Sequence, residues 1–118
     1  MANLREAKHW IGGEWSTAGT QRESIDPATG GVIGHYADGN AESAQAAIDA
    51  AQTAFETGQW RNDPFMRATA LCRLADAYEA RIGEIVETLA TENGKMKYEA
   101  GFEAHFIARA LRFAASSA

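Results

Sequence analysis

The chain has 118 residues, enough for one ordinary domain or one part of a larger one. Lys and Arg number 11 against 16 Asp and Glu, a formal charge of -5, and the basic residues are dispersed, which excludes a nucleic-acid footprint and a polybasic membrane patch. No apolar run is long enough to span a bilayer and the opening MANLREAKHWIGG lacks an apolar signal core, so the expected setting is cytoplasmic.

The first third reads as β structure. In HWIGGEWS, Trp10 and Ile11 precede Gly12-Gly13 and Trp15 follows, and two glycines suit the positive φ angles of a primed hairpin turn. In ESIDPATGGVIGHYA, Asp26 can accept hydrogen bonds from turn amides, Pro27 presets φ and Gly30 supplies a left-handed position. Ser24-Ile25 and Val32-Ile33 flank that turn as paired strands. The glycines of TGGVIGHYADG could also suggest a phosphate cradle. A dinucleotide fingerprint, however, needs G-x-G-x-x-G leaving a strand and opening a helix, and a Walker loop needs a Gly-Lys-Ser/Thr ending. Gly30, Gly31 and Gly34 give G-G-x-x-G followed by a strand-like run. These glycines are expected to turn a hairpin.

From residue 40 the pattern changes to a period of 3.6. Asn40 reads as an N-cap, with Ala44, Ala47, Ile48, Ala51 and Phe55 as one stripe and Gly58 as the stop. Asp63 caps a second helix with Pro64 at its first position, and its stripe runs through Leu71, Leu74, Ala75 and Tyr78. Ile82, Ile85, Val86 and Leu89 mark a third helix, closed by Asn93-Gly94. A fourth starts near Lys97 and carries Tyr98, Phe102, Phe106, Ala110, Phe113 and Ala114, running to AASSA without a glycine or proline stop. Arg73, Asp76, Glu84 and Glu87 fall on outer, solvated faces. The predicted layout is two β-hairpins over residues 1–37 and a cluster of about four α-helices over 38–118, with short loops making consecutive helices antiparallel neighbours.

Cys72 is the only cysteine, which rules out an intramolecular disulfide. It shares helical spacing with Ala68, Leu71, Ala75 and Tyr78, so it is expected to be a small buried residue rather than a nucleophile. His9, His35 and His105 lie in different elements and show no metal-ligand spacing.

The ordered series WIGGEW, IDPATGGVIG, DAAQTAF, RATALCRLADAYEARIGEIVETLATENGK and ALRFAA resembles the opening segment of the aldehyde dehydrogenase superfamily, an α/β family, over almost the whole chain. The resemblance implies the N-terminal part of the cofactor-binding domain of an enzyme that oxidises an aldehyde to a carboxylic acid with NAD or NADP. In such enzymes a cysteine thiolate attacks the carbonyl, a glutamate activates water and an asparagine holds the oxyanion. It places those groups, the cofactor loop and the oligomerisation strands outside this chain. Cys72 does not match the nucleophile, so no catalytic or cofactor-binding residue is assigned here. The implied partners are the remainder of the dehydrogenase chain, the aldehyde and, for the complete enzyme, further copies of itself.

Two local carry-overs follow from the resemblance. Ser24 and Ile25, through backbone carbonyls, and Glu92 match ligands of a structural monovalent cation, for which hard oxygens are suited. The other reading of Glu92 is an exposed residue near a helix end, as acidic residues mostly are. Phe102 and Phe106 match positions lining the tunnel by which the aldehyde enters, and their i, i+4 spacing puts both rings on one face. Such rings would favour apolar or aromatic aldehydes, and the other reading of the pair is a plain packing stripe. The alternative for the whole chain is a non-catalytic helical interaction module derived from the same family. A module of that kind is expected to have shed its exposed aromatic residues.

Overall fold

The computed structural model describes residues 5–118, which form two compact units, one ending at Gly58 and the other spanning Gln59–Ala118. The first unit contains β1 (Arg5–Ala7), β2 (His9–Ile11), β3 (Glu14–Ser16), β4 (Thr20–Ile25), β5 (Val32–Asp38) and α1 (Ala41–Thr57). The second contains α2 (Pro64–Glu79), α3 (Ile82–Asn93) and α4 (Lys97–Ser116).

Both predicted hairpins form. β2 and β3 pair antiparallel across Gly12 and Gly13, whose φ angles of 62° and 87° are those of a type I′ turn. Ile11 and Glu14 flank the turn, so Trp10 and Trp15 form the next pair out, where cross-strand side chains come closest. Their rings meet edge to face with centroids 4.8 Å apart. β4 and β5 pair antiparallel around Asp26–Gly31. Asp26 Oδ1 accepts from the Ala28 amide at 2.8 Å and Oδ2 from the Thr29 hydroxyl at 3.0 Å. The Ala28 amide foremost, then the Thr29 hydroxyl, holds the Asp26 carboxyl below the ordinary carboxylate range.

β1 was not visible in the sequence pattern. It pairs parallel to β5, giving the order β1-β5-β4, with Arg5 opposite Gly34. A Cβ at Gly34 would lie 2.8 Å from the Arg5 carbonyl oxygen, so this glycine admits a neighbouring backbone rather than a phosphate.

Asn40 caps α1 as its position suggests. Its Oδ1 accepts from the Ser43 amide at 2.9 Å, and Ser43 Oγ accepts from the Asn40 amide at 2.9 Å. Serine thus plays the part usually taken by Glu or Gln in a capping box. Asn40→Ala is expected to cost about 1 kcal/mol while Asn40→Asp stays near neutral, as read from urea unfolding followed by circular dichroism. Gly58 ends α1 in extended geometry (φ -82°), whereas Gly94 ends α3 in the left-handed region (φ 72°). Asp63 caps α2 by accepting from the Met66 amide at 2.9 Å, with Pro64 opening the helix.

In the second unit α4 packs against α2 and α3. Its inward face is Ala100, Ala104, Ala108 and Ala115, with Ala75 of α2 fully buried. Small side chains let the helix backbones approach closely. The aromatic stripe of α4 faces the other way. Cys72, expected to be buried, is exposed. The packing face of α2 centres on Ala75, and at about 100° per residue Cys72 falls some 60° to one side of it. Leu74 lies on the opposite flank and is also exposed. The stripe of α1 likewise stays open, and only Ser43 of that helix is buried.

Candidate functional site

The most distinctive surface of the second unit is the outer face of α4. Counting about 100° per residue, Tyr98, Phe102, Phe106 and Phe113 cluster roughly half a turn away from the alanine stripe. They are 85%, 72%, 62% and 75% exposed. Phe102 lines an open depression of about 370 Å³ together with Lys97, Tyr98, Gly101 and His105. Phe106 lies on the same face outside that depression. The Gly101 carbonyl, 2.7 Å from His105 Nδ1, can only accept, so Nδ1 carries the proton and donates it there. Lys97 Nζ is drawn to Glu87 Oε1 at 2.7 Å. Tyr98 and His105 were not singled out as site residues from the sequence, although Tyr98, Phe102 and His105 follow one another at i, i+4 and i+3.

The implied cation ligands divide between the two compact units. Ser24 and Ile25 close β4, where the pairing with β5 shifts register, and Ile25 lies opposite Val32. Glu92 is exposed in the last turn of α3. Grouping these three therefore rests on the resemblance alone.

The residue types that could carry chemistry are scattered. His9 Nε2 is 3.1 Å from the Ala18 carbonyl oxygen, His35 lies in β5 and His105 in α4. Among the described residues, no group of three or more His, Cys, Asp and Glu gathers in metal-binding proximity. Gly30 (φ 74°) belongs to a turn that leads into β5 rather than into a helix. The glycines therefore do not fit a dinucleotide phosphate, and no step through a cofactor is assigned to these residues. Among the described residues, no helix is long and apolar enough to cross a membrane.

The sequence model of the aldehyde dehydrogenase family matches residues 15–118. The chain is 38% identical over 81 residues to aldehyde dehydrogenase family 2 member B4, mitochondrial, of Arabidopsis thaliana, covering 68% of this chain and 15% of that protein. It is 33% identical over 109 residues to phenylacetaldehyde dehydrogenase of Pseudomonas fluorescens, covering 89% of this chain and 22% of the relative. The crystal structure of an NAD-dependent aldehyde dehydrogenase from Sinorhizobium meliloti superposes with a TM-score of 0.90 at 26% identity, over 96% of this chain and 23% of that one. The chain thus spans about a fifth of the length of the curated relatives it matches. With the strands, the four helices and the motif order all in agreement, this chain belongs to the aldehyde dehydrogenase family.

Proposed function

We propose that this segment is the N-terminal scaffold of an NAD(P)-dependent aldehyde dehydrogenase and takes no chemical step itself. The nucleophile, the base and the cofactor loop come from sequence outside these residues. One observation carries the reading: α4 buries Ala100, Ala104, Ala108 and Ala115 and turns four aromatic rings outward. A folded unit gains nothing from exposing rings unless a further surface covers them. The same pattern weighs against a free-standing interaction module, because Trp10, Trp15 and Trp60 also remain exposed.

Within this proposal Phe102 and Phe106 line the approach of the aldehyde and favour apolar or aromatic substrates. The carbonyls of Ser24 and Ile25 and the Glu92 carboxylate keep their proposed role as monovalent cation ligands. The complete enzyme is proposed to be a cytoplasmic homo-oligomer.

Complementation in trans tests the reading. The Pseudomonas fluorescens relative, truncated to lack the matching segment, is co-expressed with this chain and assayed for aldehyde-dependent reduction of NAD by absorbance. Neither piece alone is expected to turn over aldehyde, and the pair is expected to recover activity. Turnover by this chain alone would overturn the proposal, as would calorimetric binding of NAD to it.

A further inference from the structure

The interface between α4 and α2 raises a mechanical question. Alanine methyls let the helix backbones approach closely, and half-buried Leu111 is the larger side chain on the same face of α4. A different set of contacts lies along its edges. Arg112 of α4 reaches α2, where one guanidinium nitrogen donates to Asp76 Oδ1 at 2.9 Å and to Glu79 Oε2 at 2.6 Å. On the other flank, Lys95 Nζ, in the turn before α4, donates to both oxygens of Glu103 at 2.6 and 2.7 Å. Counting about 100° per residue, Arg112 and Glu103 stand some 80° and 100° to either side of the alanine stripe, in opposite senses. The Arg112 pairs tie α4 to α2 across the interface, whereas Lys95–Glu103 ties α4 to the turn that leads into it.

We propose that Arg112, held by Asp76 and Glu79, is a positioning residue that fixes the rotation of α4 and hence the placement of the Phe102 and Phe106 rings toward the incoming aldehyde. This rests on the reading of the segment as part of a dehydrogenase. A helix with its side chains has a radius of about 5–6 Å, so a rotation of about 20° carries a ring tip about 2 Å. Misplacements of about 1 Å are enough to change substrate handling by large factors. Both bonds come from one guanidinium nitrogen, so a lysine ammonium, with its donors at one centre, can replace part of them.

The test replaces Arg112 by Gln in the complete dehydrogenase carrying this segment, with benzaldehyde as substrate. KM for benzaldehyde is expected to rise about fivefold or more, with kcat and the KM for NAD within about twofold. Arg112→Lys is expected to recover part of the loss, and the Asp76→Asn, Glu79→Gln double variant to reproduce it with the arginine intact. An unchanged benzaldehyde KM would overturn the proposal. A loss of kcat and of both KM values together with a lowered Tm would also overturn it, since that marks a merely structural arginine. A parent enzyme without aldehyde turnover would refute the dehydrogenase reading instead. The clamp is then judged on the 118-residue chain by alanine-methyl NMR, where Arg112→Gln is expected to shift the Ala75, Ala104 and Ala108 resonances at constant helix content. Unshifted methyls would refute it.

Discussion

Replacing Ala104 by leucine is expected to lower the thermal midpoint of the helical unit sharply. Ala104 is 0% exposed, as are Ala75 and Ala100, so the added carbons have no free volume to enter. The helices must separate or the new side chain must leave its rotamer well, at a cost of about 1–3 kcal/mol. That cost is large here because no large side chain is fully buried anywhere in the described chain. Natural domains have only about 5–15 kcal/mol in hand, and a unit resting on alanine contacts lies at the low end. Leucine is a good helix former, so propensity cannot account for a loss. The control is Ala110→Leu on the exposed side of the same helix, expected to stay within about 0.5 kcal/mol of the parent. Thermal melts by circular dichroism read both variants, and equal midpoints for the two would show that the alanine face is not a close-packed contact.

The elements of this fold were legible because their signals are local. The Gly12-Gly13 turn, the Asp26 turn, the Asn40 and Asp63 caps and the Gly94 stop each depend on residues within a few positions of one another. What failed to show depends on partners far away in sequence. β1 has no alternation of its own and exists because Gly34 lets Arg5 approach β5. Asp76 is a solvated charge as its position suggests, but its pairing with Arg112 some 36 positions on depends on a distant partner. Periodicity found an apolar stripe on α4 but favoured the larger side chains, while the packed face was the quieter repeat Ala100, Ala104, Ala108. The inward face was chosen by how closely two backbones could approach, which a scale of side-chain hydrophobicity does not measure. Cys72 is the same lesson in miniature, apolar in type and yet just off the face that Ala75 defines. Of the candidate site, the pairing of Phe102 with Phe106 on one face was readable from spacing. Their direction relative to the packed helices was not.

Changing Phe102, Phe106 and Phe113 together to glutamine is expected to leave the isolated chain as stable as before and to destroy its ability to complement. The three rings are 62–75% exposed, so little burial is lost within the chain itself. Glutamine also has the better helix propensity of the two residue types. In the assembled enzyme the balance reverses. Fully burying a phenylalanine is worth about 1.5–3 kcal/mol, so even half of that for three rings sums to more than about 2 kcal/mol. Glutamine adds the cost of polar groups left without partners, about 1–3 kcal/mol for each one that is buried. Since about 1.4 kcal/mol is a factor of ten in affinity, association with the remainder of the enzyme should weaken by roughly 10³-fold. The same substitutions remove three exposed aromatic rings from one face of the helical unit, so light scattering by the isolated chain should fall at equal concentration. A triple variant that complements like the parent would mean that the rings face solvent in the complete enzyme too. The aromatic face would then be neither the aldehyde's approach nor the seam with the rest of the chain, and the scaffold reading would lose its principal support.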